Sequence, residues 1–201
     1  MARYHSAAVL VIVDVQNDFA DPGGSLSVKG AERVIPVINR EAVTAREQGA
    51  LVVLTQDWHP ASTPHFAKDG GPWPVHCVAE SWGAALHPAL EAPDDTPVVR
   101  KGSNGEDGYS GFTMRDARTG DEVPTMLAPL LQSAGVTDVI VTGLATDYCV
   151  KATALDALRL GFATTVLTDG IAAVDLRAGD GEAALEELRN AGADVRSSEG
   201  G

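Results

Sequence analysis

The distribution of apolar positions along the chain defines its elements before any chemistry is considered. Ala7-Ala-Val-Leu-Val-Ile-Val13 is an unbroken, largely β-branched run ending at Asp14, the pattern of a strand buried on both faces. Comparable runs follow at Gly49–Thr55, Thr137–Gly143 and Phe162–Thr168, each closed by polar or glycine punctuation. Between them, residues 31–48, 124–134, 147–160 and 181–191 carry apolar side chains at three- and four-residue spacing and predict helices, with Gly49, Gly135, Gly161 and Gly192 placed as left-handed C-terminal caps. Buried strands alternating with such helices imply an α/β layer architecture with a mostly parallel sheet.

Residues 56–122 interrupt this alternation. They are rich in Gly, Pro and polar residues, with one short strand expected at Pro97–Arg100. Loops of that length in a compact domain are usually functional or disordered, and this one holds most of the histidines and tryptophans, which favours function. The glycines at 102, 105, 108 and 111 suggest a flexible loop, and the chain from Arg196 to Gly201 reads as a frayed tail.

Composition narrows the class. With 201 residues the chain is expected to form one domain, 1–201, around one substantial core. Fifteen Lys+Arg against 28 Asp+Glu give a formal charge of −13, a surface that repels phosphate backbones and anionic lipid, so neither nucleic acid nor a membrane is an expected partner. Two cysteines cannot make a disulfide framework, and no apolar run approaches the ~20 residues that span a bilayer or forms a leader, so a reducing, cytoplasmic location is expected.

In parallel α/β sheets ligands bind beyond the carboxyl ends of the strands, so the residues that follow each apolar run carry the functional argument. Here these are Asp14-Val-Gln-Asn-Asp-Phe19, Gln56-Asp-Trp-His59, Arg100-Lys-Gly102 and Gly143-Leu-Ala-Thr-Asp-Tyr-Cys149. Cys149 falls in the first turn of a helix that Thr146 is placed to cap, where the helix dipole lowers a thiol pKa and free N–H groups can bind an oxyanion. Taken singly, Cys149 reads more readily as a small buried apolar residue and Lys101 as a solvated charge, while Asp14 is equally readable as a turn cap. Together they supply a nucleophile, a base and a cation.

A second cluster is Asp57-Trp-His59, followed by His65 and His76. If the strand runs on through it, Asp57 and His59 share one face and Trp58 points away. A carboxylate with imidazoles suits a divalent ion such as zinc, manganese or iron, although loop histidines are often plain surface residues. Cys77, beside His76, is expected to be an inert buried thiol.

These segments, together with Trp73-Pro-Val-His-Cys77 and the extension Cys149-Val-Lys-Ala-Thr-Ala154, resemble the signatures of the nicotinamidases among the isochorismatase-like cysteine hydrolases, in the family's order and across nearly the whole chain. The resemblance implies an α/β, three-layer αβα, Rossmann-like fold with a mostly parallel six-stranded sheet; a catalytic triad of Asp14, Lys101 and Cys149; and Asp57, His59 and His76 as ligands of one divalent metal, zinc first, with iron or manganese as alternatives. His65 corresponds to a further ligand found in only some members. It also implies a cis peptide between Leu144 and Ala145, an oxyanion hole from the N–H groups of Ala145 and Cys149, Phe19 and Trp73 flanking a pyridine ring, and Tyr109 closing the site. The implied activity is hydrolysis of nicotinamide, and of pyrazinamide, in NAD salvage, with homo-oligomers common in the superfamily. Isochorismatases lack the metal set and carbamoyl amidohydrolases do not need it, so Asp57, His59 and His76 set this chain apart from both. An intact triad argues against a binding protein that has lost its chemistry.

Overall fold

The computed structural model describes residues 3–199. Six strands form one sheet, all of whose pairings are parallel: β1 (Ala8–Val13), β2 (Leu51–Asp57), β3 (Val98–Lys101), β6 (Asp138–Leu144), β7 (Ala163–Ala172) and β8 (Asp194–Arg196). Their order is β3-β2-β1-β6-β7-β8. The chain therefore builds outward from β1 in one direction, then returns beside β1 and builds outward in the other. That reversal opens a crevice between the carboxyl ends of β1 and β6.

The alternation of side chains along each strand divides the core in two. Leu10, Ile12, Leu54 and Ile140 face α2 (Ala31–Glu47), which presents Val34, Ile35, Ile38, Ala42 and Ala45. Val9, Val11, Val53, Val139 and Val141 face the other side, where α3 (Leu127–Ser133), α4 (Lys151–Arg159) and α5 (Asp180–Ala191) contribute Leu131, Ala154 and Leu188. Both faces of the sheet are covered, which is why its central strands are continuously apolar. Gly49, Gly135, Gly161 and Gly192 follow their helices with positive φ, as expected of C-terminal caps.

Several sequence expectations need correction. The helix expected from 124 begins at Leu127, because Glu122–Pro124 is instead a strand, β5, paired antiparallel with β4 (Thr113–Arg115). That hairpin lies in a stretch too short and polar to show a period. The helix expected from 147 starts one residue earlier, as a wide π-helical turn over Thr146–Val150 that runs into α4; Ala145 is its N-cap and Thr146 makes no capping bond. Strand β2 stops at Asp57, and His59 is held instead by a separate parallel bridge to Val78. The start of the supposed tail is ordered: Arg196 ends β8, and the Ser198 N–H and hydroxyl both donate to the Asp169 carboxylate. The one-turn helix α1 (Asn17–Ala20) was too brief to register as a periodic segment. No helix among the described residues is long and apolar enough to cross a membrane.

Candidate active site

Four strand ends deliver the site. Asp14 follows β1 with φ 49°, a conformation aspartate tolerates better than most residues. Its Oδ1 accepts from the Thr55 hydroxyl at 2.6 Å, and its Oδ2 lies 2.8 Å from Lys101 Nζ at the end of β3. Lys101 Nζ also bonds Asp57 Oδ1, at the end of β2, and stands 3.7 Å from Cys149 Sγ. Asp14, Lys101 and Cys149, far apart in the chain, are thus brought to one point.

All four groups are buried, and burial sets their electrostatics. It pushes the Cys149 thiol well above the ordinary thiol range; Lys101 works against this, but Asp14 and Asp57 add to it. It also raises Asp14, against the pull of Lys101, making that carboxylate a stronger base than a solvated one. Burial opposes the charge on Lys101, but Asp14 and Asp57 overcome it and keep the ammonium protonated well above its usual range. Burial also opposes ionisation of Asp57, yet Lys101 and the neighbouring His59 hold it below the usual carboxylate range. The resting site is therefore a neutral thiol beside two carboxyl groups that share one ammonium.

The other oxygen of Asp57, Oδ2, faces the histidines, at 3.8 Å from His59 Nε2 and 3.9 Å from His76 Nε2. One nitrogen each from His59, His65 and His76 lie within 4.8 Å of one another. His65, matched by sequence to a ligand of only some relatives, therefore sits in the cluster on equal terms with the other two. The hydrogen bonds of two of the rings suit metal binding. His76 Nδ1 donates to the Pro74 carbonyl at 2.8 Å, and burial depresses its pKa to about 4, leaving a neutral ring with its Nε2 lone pair free. His65 Nδ1 donates to Asp107 Oδ1 at 2.7 Å, a contact that in turn holds Asp107 below the usual carboxylate range. His59 is buried with neither ring nitrogen hydrogen-bonded, which is costly unless something else occupies a lone pair. The donor set of imidazoles and one carboxylate oxygen fits a divalent transition ion.

Gly102 explains how the loop after β3 passes so close. Its φ is 80°, and a Cβ there would stand 2.6 Å from His59 Nδ1. Beneath the cluster, Gln16 bonds both the N–H and the carbonyl of Asp57, fixing the end of β2 where the strand pairing stops. Trp58 points the other way, as alternation predicts, and lies under the Arg100 guanidinium at 3.8 Å.

A pocket opens over the thiol. Phe19, Trp73, Tyr109 and Ala145, all singled out from the sequence, line it together with Asp57, His65, His76 and Cys149. Trp73 Nε1 donates to the Tyr109 hydroxyl at 3.0 Å, so these two rings form one wall. The Leu144–Ala145 peptide bond is cis. Sequence reasoning missed Leu26, Val28, Leu144, Tyr148 and Val174 as lining residues. Tyr148 was inside a quoted motif and packs edge-on against Trp73, its ring centre 5.0 Å away. Leu26 and Val28 lie in an irregular segment with no periodic signal. Cys77 is buried, with burial raising its thiol well above the usual range, and donates weakly to the Gly83 carbonyl, in keeping with a structural thiol.

Comparison with known proteins gives a consistent answer. The isochorismatase domain family matches residues 8–200. The chain is 40% identical over 200 residues to the nicotinamidase of Escherichia coli K12, covering 92% of each protein. Among solved structures it is similar to a pyrazinamidase from Pyrococcus horikoshii in complex with zinc, with TM-score 0.84, 38% identity and coverage of 95% of this chain and 99% of that one. It is also similar to PnC1 from L. infantum in complex with nicotinate, with TM-score 0.86, 42% identity and coverage of 98% and 96%. The chain belongs to the isochorismatase family, in its nicotinamidase branch.

Proposed function

We propose that the protein hydrolyses nicotinamide to nicotinate and ammonia through a thioester on Cys149, with one divalent metal held by His59, His65, His76 and Asp57. The observation that carries the reading is that Cys149, Asp57, His65 and His76 line one pocket, and that Asp57 joins the Lys101 ammonium beside the thiol and Asp14 to the histidines. A nucleophile for an amide carbonyl and an anchor for a ring nitrogen then lie side by side. Pyrazinamide presents the same carboxamide beside a ring nitrogen and is the expected second substrate.

The steps follow from the side chains. Asp14 accepts the thiol proton as Sγ attacks the carboxamide carbon, and the resulting oxyanion is met by the N–H groups of Ala145 and Cys149. Asp14 returns that proton to the amide nitrogen, the C–N bond breaks, and ammonia leaves. Water then attacks the thioester while Asp14 takes one of its protons; the C–S bond breaks, that proton passes back to sulfur, and the acid leaves, giving up the other proton to solvent as nicotinate. Lys101 stays protonated throughout and offsets part of the cost of placing charge on Asp14 and on the sulfur. Phe19, Trp73 and Tyr109 flank the ring and exclude water. A bound metal supplies a Lewis-acid position for the ring nitrogen.

The test is ammonia release from nicotinamide by the purified, zinc-loaded protein and by Cys149→Ala. Turnover by the first and a loss of at least ~10³-fold in the second support the assignment. No ammonia from the metal-loaded protein would overturn the substrate; near-normal turnover by Cys149→Ala would overturn the nucleophile.

A further inference from the structure

The three histidines of the cluster differ in what holds the nitrogen that faces away from the others. For His76 the partner is a backbone carbonyl, that of Pro74, and His59 has none. For His65 it is a side chain, Asp107 Oδ1, at 2.7 Å from Nδ1. A carboxylate can only accept, so Nδ1 carries the hydrogen, and in a neutral ring this places the lone pair on Nε2. His65 is 5% exposed, so without this acceptor its N–H would be left unpaired in a buried place.

Asp107 is itself held for that task. The Gly108 N–H donates to the same Oδ1 at 2.7 Å. Its backbone exchanges two hydrogen bonds with Arg115 at the end of β4, 2.8 Å from its N–H to the Arg115 carbonyl and 2.6 Å in return. The Arg115 guanidinium stands 3.7 Å from Oδ2. Asp107 does not line the pocket over Cys149 and belongs to none of the clusters of metal-binding groups. Its evident bond to the functional region runs through His65.

We propose that Asp107 is a positioning residue of the metal centre, orienting His65 and fixing its tautomer so that Nε2 is the ligand nitrogen. The inference rests on the reading of His59, His65 and His76 as metal ligands. Partners of this kind orient the ring and raise its basicity, and their removal typically weakens metal binding by 10–100-fold. Because the hairpin β4–β5 carries the clamp on Asp107, a segment remote from the nucleophile contributes to the affinity of the site.

The experiment measures zinc affinity of the whole protein by competition with a chromophoric chelator, for wild type, Asp107→Ala, Asp107→Asn, His65→Ala and the double variant Asp107→Ala/His65→Ala. Expected are a loss of about 10–100-fold in Asp107→Ala, a loss of about threefold or more in Asp107→Asn, whose amide oxygen still accepts, and a double variant no weaker than His65→Ala alone. The cobalt-substituted protein should also change its visible absorption spectrum in Asp107→Ala toward that of His65→Ala. Should Asp107→Ala fail to fold by circular dichroism, Asp107→Asn decides alone. Wild-type affinity in the deciding variant, or losses that simply add in the double variant, would overturn the role of Asp107 while leaving the metal centre standing. Failure of the wild type to bind zinc would overturn both.

Discussion

At the scale of single residues, Lys101 holds the site together. It is 2% exposed and bonded to two buried carboxylates while standing beside the thiol. A buried charge whose partner is removed costs far more than the pair contributes, because nothing then offsets its desolvation. Lys101→Met is therefore expected to destabilise the metal-free protein by about 3–5 kcal/mol in urea unfolding, as Asp14 and Asp57 are left facing each other. Bound metal should recover part of this, since a cation beside Asp57 replaces some of the lost charge. Equal stability of the two proteins without metal would show that the carboxylates are relieved in another way. The chemistry of Asp14, Lys101 and Cys149 was legible from residue type and from position after a strand. What the sequence hid was pairing. Asp57 reads as a metal ligand, yet its two oxygens divide between Lys101 and the histidines; Asp107 reads as one more solvating carboxylate among 28 acidic residues.

At the scale of elements, the strands and capped helices were readable because their signals are local and periodic. The segments that escaped are those stabilised by partners distant in sequence. The β4–β5 hairpin is one; the docked end of the chain is another. The Ser198 N–H and hydroxyl reach back to Asp169 in β7, and although partial burial opposes its charge, these bonds hold the Asp169 carboxyl below its usual range. A carboxylate whose folded pKa is depressed stabilises the docked state fully above its unfolded value, ~3.9, and that contribution is lost as pH falls through the folded value. Asp169→Ala should thus expose the segment after β8 to limited proteolysis at neutral pH, and wild type should acquire the same sensitivity only under acid conditions. Resistance of the Asp169→Ala protein at neutral pH would mean that other contacts secure the end of the chain.

At the scale of the whole molecule, the formal charge of −13 acts as self-repulsion spread over the surface. The ion pairs at the centre of the site are buried and little screened, whereas exposed carboxylates more than a Debye length apart, ~10 Å at 0.1 M salt, are screened readily. Raising sodium chloride toward ~1 M, where that length shrinks to ~3 Å, should therefore raise the thermal midpoint rather than lower it. A falling midpoint would indicate that exposed ion pairs outweigh the repulsion.

The sequence by itself determined the layer architecture and singled out the residues proposed as nucleophile, base, cation and metal ligands, because strand burial, helix periodicity and strand-end chemistry are written in short stretches of chain. Only the tertiary structure decided which groups share a hydrogen bond, a cation or a pocket wall. Parallel pairing around the β1–β6 crevice brings together positions far apart in the chain, so the contacts of Asp57, the equal standing of His65, the clamp on Asp107 and the walls at Leu26, Val28 and Tyr148 have no local pattern from which to be read.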